Sequence, residues 1–163
     1  MRAPERAGCL TVLLRLIGFA QPNAKPEVIR LPFRLRDGLL TPAELNFYRV
    51  LATVVGARAA ICPKVRLVDL FAIEQPSQNK GASNRISQKH VDFVLCDPST
   101  FRFLCGVELD DTSHSRGRRK ERDELVDGVF AAAGLPLFHI PAKSSYSPAE
   151  LRGLLDSLLN GSR

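Results

Sequence analysis

Apolar side chains along residues 39–163 recur at two spacings, near 3.6 residues in some segments and at two residues in others. Helical spacing and end signals predict three helices, over residues 41–56, 117–133 and 147–159. Alternating or β-branched runs predict four strands, over residues 59–68, 91–96, 101–109 and 135–140. The order helix, three strands, helix, strand, helix predicts an α/β domain in which helices flank a mixed sheet and a further helix ends the chain.

Local capping and turn residues sharpen this prediction. Residues 41–44, Thr-Pro-Ala-Glu, form a capping box with proline at the first helical position. Pro63 has no N–H to donate, so its strand is expected either to lie at a sheet edge or to start late. Residues 74–87 are mostly polar and predict a loop. Residues 97–100, Asp-Pro-Ser-Thr, have β-turn chemistry, so the strands on either side are expected to pair as a hairpin.

Composition and charge narrow the class of protein. The chain has 163 residues, 45% of them hydrophobic and 25% charged, which suits one globular domain. Its formal net charge of +6 favours polyanionic partners such as nucleic acid. The four cysteines form no CxxC pair, which argues against a structural zinc site and favours a reduced, cytoplasmic setting.

The N-terminal region differs in composition from the rest of the chain. Residues 21–40 contain three prolines, one glycine and interspersed basic residues. This composition predicts that residues 1–38 form an extended or peripheral segment before a domain at 39–163. Residues 10–20 are largely apolar but fall short of the roughly 20 residues of a membrane-spanning helix. They leave membrane association open, whereas Arg15 in their middle argues against a secretory signal.

Three carboxylates are expected to converge at one end of the hairpin. Asp92 interrupts an apolar strand, and Glu108 and Asp110 lie two residues apart on the partner strand, hence on one face. Like charges this close repel, and a divalent cation relieves that repulsion. Oxygen ligands suit Mg²⁺ or Mn²⁺. Taken one at a time, these acids are explained equally well as solvent-facing strand residues or as turn residues. Glu44 is either the partner in its capping box or a further carboxylate facing this site.

Other polar residues follow the acidic cluster. His114 lies just beyond Asp110 and could act as a ligand, a proton carrier or a phosphate contact. A basic run at the start of the helix over 117–133 opposes the helix dipole, which hints at contact with phosphate rather than plain solvation. The run consists of Arg116, Arg118, Arg119, Lys120 and Arg122.

Several segments together resemble one known family. They are residues 40–48 (LTPAELNFY), 89–95 (KHVDFVL), 106–114 (GVELDDTSH), 122–123 (RD) and 133–137 (AGLPL). In this order they are similar to the domain of unknown function numbered 2726, over roughly residues 39–140. That family is grouped with the PD-(D/E)XK nuclease-like folds, near the very-short-patch-repair endonuclease-like proteins.

The resemblance implies a restriction-endonuclease-like αβββαβ core with Asp92 and Glu108 as Mg²⁺ ligands. Asp110 stands where the superfamily motif places a lysine that is thought to orient the attacking water or to stabilise charge on the phosphate. The resemblance therefore leaves open which residue supplies the positive charge. The candidates are Lys64, Lys89 and Arg122. Members of the family often carry an N-terminal hydrophobic segment.

These observations lead to one function hypothesis with two rivals. The first is Mg²⁺- or Mn²⁺-dependent hydrolysis of phosphodiester bonds in nucleic acid, with DNA favoured over RNA and a homodimer as the ordinary way to cut both strands. One rival is a non-catalytic nucleic-acid-binding module of the same fold, which the missing motif lysine supports. The other is a membrane-peripheral or protein-interaction domain, which the apolar N-terminal segment supports.

Overall fold

The computed structural model describes residues 31–110 and 116–160, with residues 116–123 and 160 described as backbone only. The chain divides into two compact units, residues 1–36 and 37–163. Residues 31–36 have no regular secondary structure. The apolar segment for which the sequence leaves membrane association open, residues 10–20, lies outside the described residues. Within the described ranges, no helix has the length and apolar character needed to cross a membrane.

The second unit is a four-stranded mixed sheet flanked by helices, as the sequence predicts. The strands are β1 (Ala60–Arg66), β2 (His90–Cys96), β3 (Phe103–Asp110) and β4 (Leu137–Pro141), in the spatial order β1-β2-β3-β4. The first three pair antiparallel, and β4 pairs parallel to β3. The helices are α1 (Pro42–Val55), α2 (Leu67–Leu70), α3 (Ala82–Ile86), α4 (Arg116–Ala133) and α5 (Pro148–Asn160). The hairpin and the edge position of the strand that contains Pro63 are both confirmed.

Each face of the sheet has its own hydrophobic core. On one face, α1 and α5 pack on the sheet around Phe47, Phe93 and Leu155. On the other face, α2, α3 and α4 pack around Leu67 and Phe130. Burial of apolar side chains on both faces is expected for a sheet covered by helices. Cys96 and Cys105 lie in these cores, where burial raises the pKa of each thiol to about 12. Both therefore stay protonated, as expected of small buried hydrophobes.

The structure differs from the sequence-based prediction at several places; β4, for example, begins at Leu137, two residues later than predicted. The first strand ends at Arg66 because Leu67 turns into α2 and buries its side chain in the second core, which outweighs the β-branched character of the run. The predicted loop over 74–87 contains α3, which buries Ile86 in the same core. The strand β3 starts at Phe103, not Phe101, because Phe101 has a φ of +58° and still belongs to the turn.

Candidate functional site

Lys64 lies at the centre of a group of carboxylates. The register pairs Pro63 with Phe93 and Val65 with Val91, which places Lys64 opposite Asp92 on the neighbouring strand. Its Nζ donates a hydrogen bond to Asp92 Oδ1 at 2.9 Å. The same Nζ also donates to Glu44 Oε1, so one ammonium joins a strand carboxylate to a helix carboxylate.

Glu44 serves the helix end and the site together. Its Oε2 accepts from Thr41 N at 2.8 Å, while its amide donates to Thr41 Oγ1 at 3.3 Å, which completes the predicted capping box. Its other oxygen binds Lys64. The structure thus shows the capping box of Glu44 together with a contact to Lys64, while its role in a metal site stays a prediction. Because the capping box fixes the side chain, the carboxylate is presented to the sheet in a defined orientation.

Asp92 connects this group to the next strand. Its Oδ2 accepts a hydrogen bond from Leu109 N on β3 at 3.1 Å, and Glu108, the residue before Leu109, is among the groups that lower the pKa of Asp92. The sequence-based prediction that Asp92 and Glu108 meet across the hairpin therefore agrees with their positions. We refer to Glu44, Lys64, Asp92 and Glu108 as the Lys64 cluster.

The Lys64 cluster is only slightly exposed, which sharpens its electrostatics. The side chains of Glu44, Asp92 and Lys64 are 12%, 13% and 20% exposed. Burial alone raises the pKa of Asp92, but the hydrogen bonds from Lys64 and Leu109 N–H, with the Lys64 charge, lower it overall. Burial likewise opposes the charged form of Lys64, but the bonds to Glu44 and Asp92 raise its pKa. Both groups are therefore charged at neutral pH.

A second polar cluster lies where β3 pairs with β4. The sequence analysis named one of its residues, Asp110, but missed Asp127 and His139. His139 Nδ1 lies 3.1 Å from Asp110 Oδ1, and His139 Nε2 lies 2.9 Å from Asp127 Oδ1 on α4. We refer to Asp110, Asp127 and His139 as the His139 cluster. The available signal was a histidine between Phe138 and Ile140 in a short apolar strand, which is the same kind of signal that pointed to Asp92.

The His139 cluster favours a charged imidazole. Partial burial lowers the pKa of His139, but the hydrogen bonds to Asp110 and Asp127 and their charges raise it overall. These three side chains are between 37% and 53% exposed. Solvent therefore screens this group far more than it screens the Lys64 cluster.

The remaining predicted residues are placed as follows. The carboxylate of Asp110 contacts His139 instead of Lys64 or Asp92, so the structure does not bring all three predicted strand acids into one contact group. Lys89 precedes β2, where its carbonyl accepts from Leu67 N at 3.0 Å. His114 lies outside the described residues. The predicted basic residues Arg116, Arg118, Arg119, Lys120 and Arg122 all lie in the backbone-only start of α4.

The Lys64 cluster has the donor atoms of a site for a hard cation, with an ammonium between two of them. Carboxylate oxygens from α1, β2 and β3 come together there, which suits Mg²⁺ or Mn²⁺. Among the side chains that the structure describes, no group of three or more His, Cys, Asp or Glu is arranged to hold a metal ion. Instead, the Nζ of Lys64 contacts both Glu44 and Asp92.

The family described as "Protein of unknown function (DUF2726)" matches residues 36–158, well over half of the chain. This chain belongs to the DUF2726 family. No curated protein and no solved structure matches it. The matched range of the DUF2726 domain includes every residue of the Lys64 cluster and of the His139 cluster.

Proposed function

We propose that this DUF2726 domain is a metal-dependent nuclease with a restriction-endonuclease-like fold, acting on phosphodiester bonds of DNA in preference to RNA. The position of Asp92 beside the Glu108–Leu109 segment on adjacent antiparallel strands carries the proposal: Asp92 accepts from Leu109 N and contacts the ammonium that also binds Glu44. The order of helices and strands and the resemblance to PD-(D/E)XK nucleases support it.

The charge on Asp92 makes this position informative. The lowered pKa of Asp92 keeps it ionised at neutral pH, so a second ionised carboxylate in contact with it is repelled. A proton between the two groups, the Lys64 ammonium on Asp92 or a divalent cation bound to both carboxylates reduces the repulsion. A bound divalent cation, which prefers oxygen ligands, is the arrangement through which these two carboxylates would take part in a reaction.

Asp92 and Glu108 would hold the metal, with Glu44 completing its ligand set. When bound, a divalent cation supplies a Lewis acid that activates water and neutralises charge on the phosphate. The Leu109 N–H and the capping box of α1 hold Asp92 and Glu44 in orientation. The basic run at the start of α4 would bind the flanking phosphates, independently of sequence. Asp110 stays a prediction as a further ligand, since its carboxylate binds His139 here.

The test is cleavage of mixed DNA and RNA substrates by the full chain in Mg²⁺ or Mn²⁺, with a chelator as blank. Asp92→Asn and Glu108→Gln keep the size of each side chain and remove its charge. Each is expected to lose at least about 100-fold in rate, because several kcal/mol of transition-state stabilisation are lost. Asp69→Asn is the matched control, since Asp69 is an exposed carboxylate on α2 outside the cluster.

The outcomes separate the hypotheses. Metal-dependent cleavage that survives in Asp69→Asn and disappears in the other two variants supports the nuclease and its ligands. Nucleic-acid binding without cleavage, equal in all four proteins, leaves a binding module instead. Vesicle binding by a chain that does not bind nucleic acid would favour the membrane-peripheral alternative.

A further inference from the structure

Lys64 has a backbone conformation that lysine does not favour. Its φ is +55°, inside a strand that keeps its register with β2 on both sides of it. A residue with a Cβ in the left-handed region costs roughly 1–2 kcal/mol. Cys62 and Val65 both pack against the α4-side core although they are three residues apart, so the side-chain alternation of the strand is interrupted between them.

The strained residue is also the one whose side chain reaches the carboxylates. Lys64 Nζ contacts Asp92 Oδ1 at 2.9 Å and Glu44 Oε1, oxygens that belong to different elements of the fold. A divalent cation bound to both carboxylates requires the same space and the same lone pairs. An ammonium and a metal ion therefore exclude each other at this position.

We propose that Lys64 is the internal counter-ion of the carboxylate site, and that its ammonium must leave Glu44 and Asp92 for a divalent cation to bind. This inference rests on the proposed metal site. In the metal-free protein, Lys64 offsets the repulsion among the carboxylates and keeps them gathered. The same contacts weaken metal binding, because the cation has to displace an ammonium that is already bonded. Lys64 thus sets the metal affinity without being a metal ligand.

The inference predicts that removing the ammonium tightens metal binding. The experiment titrates the full chain with MnCl₂ by calorimetry, beside Lys64→Met and Lys64→Asn. Asparagine tolerates a positive φ better than other non-glycine residues, so Lys64→Asn tests the charge in a variant with less backbone strain. Both variants are expected to bind Mn²⁺ about tenfold more tightly than the unaltered chain, within the usual range of coupling between two ligands of one site.

Lys80→Met is the matched control, because it removes the same charge at an exposed position in the segment before α3. Among the described residues, the Lys80 side chain makes no hydrogen bond or ion pair, so this variant is expected to bind Mn²⁺ like the unaltered chain. Adding Asp92→Asn to Lys64→Asn is expected to abolish the tightened binding, which would locate the ion at this site.

Each outcome decides between the inference and the proposed site. Lys64 variants that bind Mn²⁺ no more tightly than a binding-competent unaltered chain overturn the counter-ion role and leave the metal site standing. An equal gain in Lys80→Met also overturns it, because long-range charge would then account for the effect. If none of the proteins binds Mn²⁺, the metal site itself is wrong. Binding by the Lys64 variants alone supports the inference most strongly.

Discussion

The Lys64 cluster and the His139 cluster use the same chemistry in different surroundings. In each, one cationic side chain lies between two carboxylates that come from separate elements of the fold. In the first, the side chains of Glu44, Lys64 and Asp92 are 12–20% exposed, whereas the side chains of the second are 37–53% exposed. In the first, the capping box of α1 orients Glu44, and the Leu109 N–H donates a hydrogen bond to Asp92.

This difference indicates that burial, more than the number of ion pairs, determines how strongly a cluster interacts with charge and how much it contributes to stability. An exposed pair gains little energy because water and salt screen it. A less exposed group loses much more when one partner is removed, because the remaining charges stay where water solvates them poorly. The Lys64 cluster is thus the one able to hold a charged ligand strongly, and the His139 cluster is expected to contribute little to stability.

The sharpest way to test the contrast is to measure the coupling energy within each cluster. In chelator, Lys64→Met is expected to lower the free energy of unfolding by about 2 kcal/mol, between the values for exposed and fully buried pairs. A double-mutant cycle with Asp92→Asn is expected to give a coupling of about 1–2 kcal/mol by urea denaturation. The cycle His139→Gln with Asp127→Asn should give about 0.5 kcal/mol or less. Equal couplings in the two cycles would contradict the role given to burial.

A second test separates the clusters through the strand they share. A Cβ added at Gly106 would lie 2.5 Å from Phe130 Cε1 on α4 and 2.9 Å from Leu137 Cδ1 on β4. Gly106→Ala is therefore expected to push β3 away from both elements and to destabilise the fold by about 1–3 kcal/mol.

The two elements that the added methyl presses against, α4 and β4, carry Asp127 and His139, whereas Glu44, Lys64 and Asp92 lie on α1, β1 and β2. In NMR titrations, the His139 pKa of this variant is expected to move back toward its ordinary value. Binding of Mn²⁺ at the Lys64 cluster should change less. Gly153→Ala, on the open side of α5 with nothing near the added Cβ, is the control. If the His139 pKa is the same in Gly106→Ala as in the unaltered chain, the His139 cluster does not depend on the packing of β3 against α4 and β4. That result would contradict the expected difference between the two clusters.

The two clusters also differ in how far their residues could be predicted from the sequence. The meeting of Asp92 and Glu108 follows from a short hairpin, because the Asp97 turn sets the pairing of the two strands. Glu44 was a candidate because a capping box places it at a known end of α1. Local patterns of this kind also located the main helices and strands.

The remaining features depend on non-local packing. Lys64 was one of three candidate cations, and a φ of +55° on a lysine has no signature in sequence. His139 joins Asp110 only because β4 pairs parallel to β3 after the whole of α4. Helix α3 forms because Ile86 reaches a core that a window of polar residues does not reveal.

The smallest expected effect is the pH dependence of stability that His139 contributes. Its pKa is raised in the folded protein, so folding favours the protonated imidazole between Asp110 and Asp127. This stabilisation is fully present below the ordinary histidine pKa of about 6.5 and is lost as the pH rises through the higher folded-state value. The difference in unfolding free energy between the unaltered chain and His139→Gln, measured by urea denaturation in chelator, should therefore shrink from pH 5.5 to 8.5. Because the cluster is exposed, the change should stay below about 1 kcal/mol and decrease further in high salt. A difference that grows with pH would mean that the neutral imidazole is the form the fold prefers, and that the two clusters do not share the same charge arrangement.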